Sequence, residues 1–224
     1  MAKKKVKKRK LKFKSFLRFI IFLALISLFV MYLYNTKINS IVVKGNSLYS
    51  DWEIIKLAGL DKRPSTMKMF SSQISNKLED TPYINKAKVK KEWFTEVTIE
   101  VEENLPLFYY VPNSKTVLSN GTEVEDNFPV PTLINYVPNK IYAEFLKEMN
   151  DTDYGIVKRM SEIKYDPNDV DEERFLITMN DGNYVYLTLN KFNKINHYLE
   201  IIKEFDNKKG ILYLDSGEYF KVFE

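Results

Sequence analysis

Cysteine is absent from these 224 residues and histidine occurs once, at His197. Disulfide frameworks, thiolate zinc sites, iron–sulfur clusters, cysteine nucleophiles and multi-histidine metal centres are therefore excluded together. A chain without thiols suits an oxidising exterior. Glycine is scarce too, seven residues scattered at turns, so no glycine-rich phosphate-binding loop is present. Acidic residues are missing from the whole stretch before Asp51. What remains is globular in character, with 45% hydrophobic and 29% charged residues, and the length suits one or two domains.

The missing acids make the charge distribution uneven. Lys3, Lys4, Lys5, Lys7, Lys8, Arg9, Lys10, Lys12, Lys14 and Arg18 are basic with no acid among them, which leaves 24 Lys and Arg against all 30 Asp and Glu. The chain is a basic arm on an acidic body. Directly after the arm, Phe16 to Tyr34 carries only Arg18 as a charge, placed where its long side chain can snorkel to headgroups. At about 1.5 Å per residue the run spans roughly 28 Å, close to the hydrocarbon thickness of a bilayer. It is longer than a signal-peptide core and ends in Met31, Tyr32, Leu33 and Tyr34 with no small-residue cleavage site, so an uncleaved anchor is expected. Positive charge before the span, and only Lys37 just after it, places the N-terminus in the cytoplasm and everything from Asn35 outside. The arm is read as a topology determinant and a contact for anionic lipid, not as a nucleic-acid site.

The exterior opens as strand, helix, helix, strand, strand. Ser40 to Lys44 predicts a strand ended by Gly45 and Asn46; Ser50 and Glu53 form a capping box; Trp52, Ile55 and Ala58 form a helical stripe; and Gly59 stops the helix. Met67, Phe70, Ile74 and Leu78 predict a second helix after Pro64, closed by Pro82. Ala87 and Val89, then Val97, Ile99 and Val101, alternate with polar residues as an antiparallel hairpin on whose apolar face the helices sit. From Leu105 the pattern is mainly β. Hairpin turns are expected at Ser119 to Gly121, Asn180 to Asn183 and Asp215 to Gly217, and helices at Ile141 to Met149 and Phe192 to Phe205. Phe192, Ile195, Tyr198, Leu199, Ile202 and Phe205 are expected to share the buried face of the latter.

This order resembles the bacterial division protein family DivIB/FtsQ. Val43-Lys44-Gly45-Asn46 is similar to the family's V-x-G-N, and Leu78, Pro82 and Ile84 to the end of its second POTRA helix. Ala87, Val89 and Trp93, then Val97, Ile99, Val101, Glu103 and Pro106, resemble its A-x-V, W and V-x-I-x-V-x-E-x-x-P run. Phe94 stands where proline often follows the tryptophan, and Phe108 where a small residue is common. The resemblance implies an α+β protein in four parts: a basic cytoplasmic arm over 1–15, a transmembrane helix over 16–34, a POTRA domain of β-α-α-β-β order over 36–103, and a mainly β domain over 104–224. The sequence stops at Glu224, so no function of a C-terminal extension is expected.

Candidates for chemistry are few. His197 reads as a surface residue opposite the apolar face of its helix. Asp166, Asn168, Asp169, Asp171, Glu172 and Glu173 have Asp171 and Ile177 where a calcium loop needs Gly and Glu, so they read as a solvated turn. Ser216 lacks the context of a nucleophile elbow. No catalytic residue, cofactor, metal or small-molecule substrate is expected, and the chain reads as a non-catalytic scaffold. A POTRA-type export or assembly factor and a membrane-anchored envelope enzyme are the alternatives; the first would require amphipathic spanning strands after the POTRA unit, and none follow. The resemblance implies FtsB/DivIC-like and FtsL-like partners, held by the last strands of the β domain. Tyr213, Leu214, Tyr219, Lys221 and Phe223 are the expected contacts. Alternation puts Phe220 and Val222 in the core, and Lys221 is expected to offer its backbone donor on the free edge.

Overall fold

The computed structural model describes residues 13–206 and 208–223, and the chain divides into two compact units between Glu103 and Asn104. Most of the basic arm lies outside the described residues. Helix α1, Phe13–Asn35, is 23 residues long, with a mean hydropathy of 2.5 in its most apolar window, and exceeds the expected span at both ends. At about 1.5 Å per residue it reaches roughly 34 Å, enough to cross a bilayer.

The rest of the first unit has the expected strand–helix–helix–strand–strand order. Strand β1 (Ser40–Lys44) is followed by α2 (Asp51–Leu57), a 3₁₀ turn at Thr66–Lys68, α3 (Ser71–Glu79), β2 (Ile84–Glu92) and β3 (Glu96–Glu103). The sheet order is β1-β3-β2, with β1 parallel and β2 antiparallel to β3. The Ser50–Glu53 capping box forms, with the Ser50 N–H donating to Glu53 Oε2 at 2.8 Å. At Gly45, φ is +85° and a Cβ would lie 2.1 Å from the Val101 carbonyl oxygen, so only glycine lets β1 turn there. Glu103 closes the far end of the unit. Its carboxylate accepts the backbone N–H groups of Ser47 and Leu48 at 2.6 Å and Tyr49 at 3.1 Å.

Packing revises the expected helix faces. Along α2 and its C-cap the buried pair is Ile54 and Ala58, four apart, while Trp52 is 60% exposed. The expected stripe through Trp52 is therefore displaced: the aliphatic i, i+4 pair fits the sheet, and the indole is left at the first turn. The second helix begins later than expected. Met67 belongs to the separate 3₁₀ turn, and Phe70 is the extended N-cap of α3 and exposed, so Ile74 and Leu78 supply the buried face with Met69 ahead of them.

In the second unit, β4 (Pro106–Tyr110), β5 (Lys115–Leu118), β6 (Glu123–Val124) and β7 (Thr132–Leu133) precede α4 (Asn139–Asp151) and α5 (Tyr154–Val157). Then come β8 (Met160–Tyr165), β9 (Arg174–Met179), β10 (Tyr184–Thr188), a 3₁₀ helix at Leu189–His197, α6 (Tyr198–Glu204), β11 (Gly210–Tyr213) and β12 (Tyr219–Val222). They form one nine-stranded sheet in the order β12-β11-β10-β9-β8-β7-β4-β5-β6. Three pairs are parallel, β4 with β7, β7 with β8 and β10 with β11, and the last two are joined through helical segments. The core is strongly aromatic: Phe145 stacks on Phe175 at 4.7 Å and meets Phe108 and Phe192 at 5.3 and 5.8 Å. The single helix expected over Phe192 to Phe205 is instead a 3₁₀ helix followed by α6. Leu189, Phe192, Ile195 and Tyr198 recur every third residue, the 3₁₀ period, and only Tyr198 to Ile202 takes the α spacing. Leu199 consequently faces solvent and Phe205 is half-buried.

Ile99, on the central strand of the first unit, has no exposed surface. Ile99→Ala is expected to destabilise this unit by about 2–5 kcal/mol through lost burial and a residual cavity. Thermal denaturation of the full chain followed by circular dichroism checks it, with an unchanged melting profile the contrary result.

Candidate functional site at the sheet edge

Strand β12 ends the nine-stranded sheet and, among the described residues, pairs only with β11. The two strands face each other as Gly210 with Val222, Ile211 with Lys221, Leu212 with Phe220 and Tyr213 with Tyr219. Burial along β11 alternates, with Gly210 and Leu212 turned to the core and Ile211 and Tyr213 half-exposed on the other face. Register carries that alternation onto β12. Phe220 lies on the core side and meets Phe205 at 4.8 Å, while Tyr219 and Lys221 lie on the outer side and are exposed.

The backbone of β12 also has two sides. The Phe223 N–H donates to the Lys209 carbonyl at 2.9 Å, so that pair and every second one along the ladder exchange hydrogen bonds. Lys221 and Tyr219 therefore direct their backbone groups inward, to β11. Phe220 and Val222 direct theirs to the free edge. This corrects the expectation that Lys221 supplies the free donor. Val222 is corrected as well: it is 40% exposed and not in the core, because it sits opposite Gly210, which offers no side chain to cover it.

Of the five expected contact residues, Tyr213, Tyr219, Lys221 and Phe223 reach the surface. Leu214 does not: it is 1% exposed, part of the core, and its N–H donates to the Tyr186 carbonyl. The outer face has a ladder that the sequence reading missed. The Arg174 guanidinium lies 3.7 Å over the Tyr186 ring, Tyr186 stacks on Tyr213 at 5.4 Å, and Tyr213 stacks on Tyr219 at 4.6 Å and 12°. One cation and three rings thus run across β9, β10, β11 and β12. Phe223 adds an edge-to-face contact with Tyr184 at 6.0 Å. The signal was present in the alternation Tyr184, Tyr186 and again Tyr213, but only strand order sets these residues side by side.

Arg174 anchors the ladder by ion pairs to Asp215 at 2.7 Å, in the β11–β12 turn, and to Asp166 at 3.0 Å. Burial acts to raise the Asp215 carboxyl, but hydrogen bonds from Arg174 and Ser216 outweigh it and hold the group below its ordinary range. On the core side of β12 a groove of about 500 Å³ runs between the strand pair and the 3₁₀–α6 segment, lined by Lys194, Ile201, Phe205, Phe220 and neighbours. Lys194 pairs with Glu218 at its rim. His197, the single histidine, is exposed and lies 3.0 Å from the Glu200 carboxylate. The loop from Asp166 to Glu173 is closed by its own turns, Asn168 Oδ1 accepting the N–H groups of Val170 and Asp171. Among the described residues no three acidic or histidine side chains are placed to hold a metal ion.

Because the folded-state pKa of Asp215 is depressed, its contribution to stability is complete above the ordinary carboxylate range and is lost as pH falls through the folded value. Asp215→Asn is expected to cost about 1–3 kcal/mol at neutral pH and to weaken the dependence of the melting temperature on pH below about 4. Melting curves of parent and variant across that range check it; parallel curves would show that Asp215 is not the titrating group.

Comparison with known families agrees with the architecture of the first unit. A family model described as POTRA domain, FtsQ-type, matches residues 36–104. Cell division protein DivIB of Geobacillus kaustophilus (strain HTA426) is 29% identical over 194 residues, an alignment covering 82% of this chain and 74% of that one. A solved structure described as the major extracytoplasmic domain of the trans isomer of DivIB from Geobacillus stearothermophilus aligns over 47% of this chain and 97% of that chain, at 24% identity and a TM-score of 0.39. Cell division protein DivIB of Bacillus subtilis (strain 168) is 28% identical over 216 residues, covering 82% of that protein. That last likeness takes in 92% of this chain, well past the POTRA unit, so the chain is similar over nearly its whole length to bacterial cell division proteins named DivIB.

Proposed function

We propose that the chain is a non-catalytic, single-pass scaffold of the division machinery that holds FtsB/DivIC-like and FtsL-like proteins on the β12 edge and so supports septum formation. The observation that carries this reading is the outer side of β12, which no other strand covers among the described residues. An edge strand with free N–H and C=O groups is a template on which a partner can add a strand, the flanking side chains setting specificity. Phe220 and Val222 offer the backbone groups; Tyr213, Tyr219, Lys221 and Phe223 offer an aromatic, singly charged face beside them. Such faces suit protein contacts, since tyrosine and phenylalanine bring large area at little entropic cost. Leu214 supports the strand pair from the core.

Val222→Pro removes one outward N–H and leaves the inward ladder to β11 intact, which makes it the discriminating variant. With the full chain in lipid nanodiscs, calorimetry against the exterior segment of a DivIC-like partner is expected to show at least about a tenfold loss of affinity, equivalent to about 1.4 kcal/mol. Circular dichroism should stay unchanged. A folded variant that binds like the parent would move the interface elsewhere on the protein.

The proposed arrangement has residues 1–15 in the cytoplasm, where their lysines meet anionic headgroups, residues 16–34 in the membrane, and a POTRA domain over 36–103 and a β domain over 104–224 outside, at the division septum. Protease added to intact protoplasts is expected to remove the exterior and leave the lysine arm protected. Survival of the exterior under conditions that digest a known surface protein would overturn the orientation.

A further inference from the structure

The tip of the β2–β3 hairpin is built in an unusual way for a turn in water. Trp93 is 85% exposed and Phe94 50%, and Trp93 holds φ at +48°, a left-handed backbone that a bulky residue rarely adopts. Two further large apolar side chains, Met67 and Phe70, are exposed on the segment beside the tip, at 47% and 65%. Single exposed hydrophobic residues need no explanation, but a cluster at one end of a small unit does.

That end is where the chain leaves α1. Ser65 donates its hydroxyl to the Leu33 carbonyl at 2.9 Å, and the Lys68 ammonium lies 4.3 Å over the Tyr34 ring, so the 3₁₀ turn touches the last turn of the apolar helix. Leu33 is covered there, at 8% exposed. The next residue, Thr66, donates its hydroxyl to the Phe94 carbonyl at 2.6 Å, and Lys91 donates to the Thr66 carbonyl at 2.9 Å. From the other direction, the Asn39 N–H donates to the Thr95 carbonyl at 2.7 Å. Asn39 is four residues beyond the end of α1, a reach of at most about 14 Å. The hairpin tip is thus fastened on two sides to the final turn of the helix, at the depth of Tyr32 and Tyr34.

We infer that Trp93 and Phe94, with Met67 and Phe70, form a docking surface for the lipid bilayer itself, resting in the headgroup region on the side where α1 emerges. This rests on α1 crossing the membrane. Indole and phenyl rings favour that region because an apolar body and, for Trp, an N–H can both be accommodated there. Charge is not the driving element: Asp61, Glu92 and Glu96 lie among Lys62, Arg63, Lys68 and Lys91. A lipid-resting tip would hold the first unit against the membrane surface instead of leaving it to swing on residues 36–39.

The chain has two tryptophans, and they serve as probe and reference. Trp52 lies at the opposite end of the unit, three residues after Tyr49, whose N–H is held by Glu103 at the far end of β3, about 23 Å along the strand from the tip. Full-length W52F and W93F are reconstituted in phosphatidylcholine–phosphatidylglycerol vesicles, with and without phosphatidylcholine brominated high on its acyl chain. The expected result is strong quenching of Trp93 in W52F by the brominated lipid, with weak quenching by iodide present on both sides, and the reverse for Trp52 in W93F. Resistance of each chain to extraction by alkaline carbonate reports the anchor separately. An anchored chain whose Trp93 is open to iodide overturns the inference and leaves the anchor standing. Trp93 shielded from iodide but untouched by bromine also overturns it, since protein and not lipid would then cover the tip. A chain released by carbonate overturns both.

Discussion

The side-chain carbonyl of Asn183, a residue with no exposed surface, accepts the N–H of Gly210 at 2.9 Å, while its amide donates to the Tyr198 hydroxyl at 2.8 Å. Tyr198 in turn donates to the Asp181 carboxylate at 2.8 Å. Burying an amide without partners would cost several kcal/mol, roughly, so this site is stable only with all its bonds made. Burial, against the Asn183 hydrogen bond and with help from Asp181, pushes the Tyr198 hydroxyl up, so it stays protonated and able to donate. The bonds join the β9–β10 turn, the start of α6 and the first residue of β11. They fix where β11 begins.

From that point the edge strand follows. A Cβ at Gly210 would lie 2.2 Å from the Lys221 carbonyl oxygen, so β12 reaches its position only because glycine stands opposite it. Register then decides which side chains of β12 face the core and which face water. The same register turns the backbone groups of Phe220 and Val222 outward. Natural sheets commonly blunt such edges with charge or a covering loop. Here Lys221 is the only charge on the strand and the outer face is a row of tyrosines, an arrangement that tolerates a partner strand better than it repels one.

The first unit was largely legible before its structure. Period-two alternation through Val97, Ile99 and Val101, the capping box at Ser50 and the glycine at 45 each act within a few residues, and each formed as read. Trp52 and Phe70 were misplaced for a shared reason: helical spacing says which residues lie together, not which rotation of a short helix fits the sheet below it. Phe70 also stands ahead of the helix, which starts at Ser71. In the second unit the break at His197 between 3₁₀ and α geometry was visible in the threefold spacing of Leu189, Phe192, Ile195 and Tyr198, a period that an α-helical reading passes over.

The sequence by itself determined the topology-bearing features: a helix long and apolar enough to cross a membrane, a basic arm before it, an α+β unit and then a β-rich one, and a last strand alternating around Phe220. These follow from hydrophobic run length, charge and local periodicity, which neighbouring residues set among themselves. Only the tertiary structure decided that β12 is an edge, that Leu214 is core and Val222 is not, and that Arg174, Tyr186, Tyr213 and Tyr219 stand in one row. Such facts depend on which distant strands pair and in which register, and one residue of slip would exchange every inward side chain for an outward one.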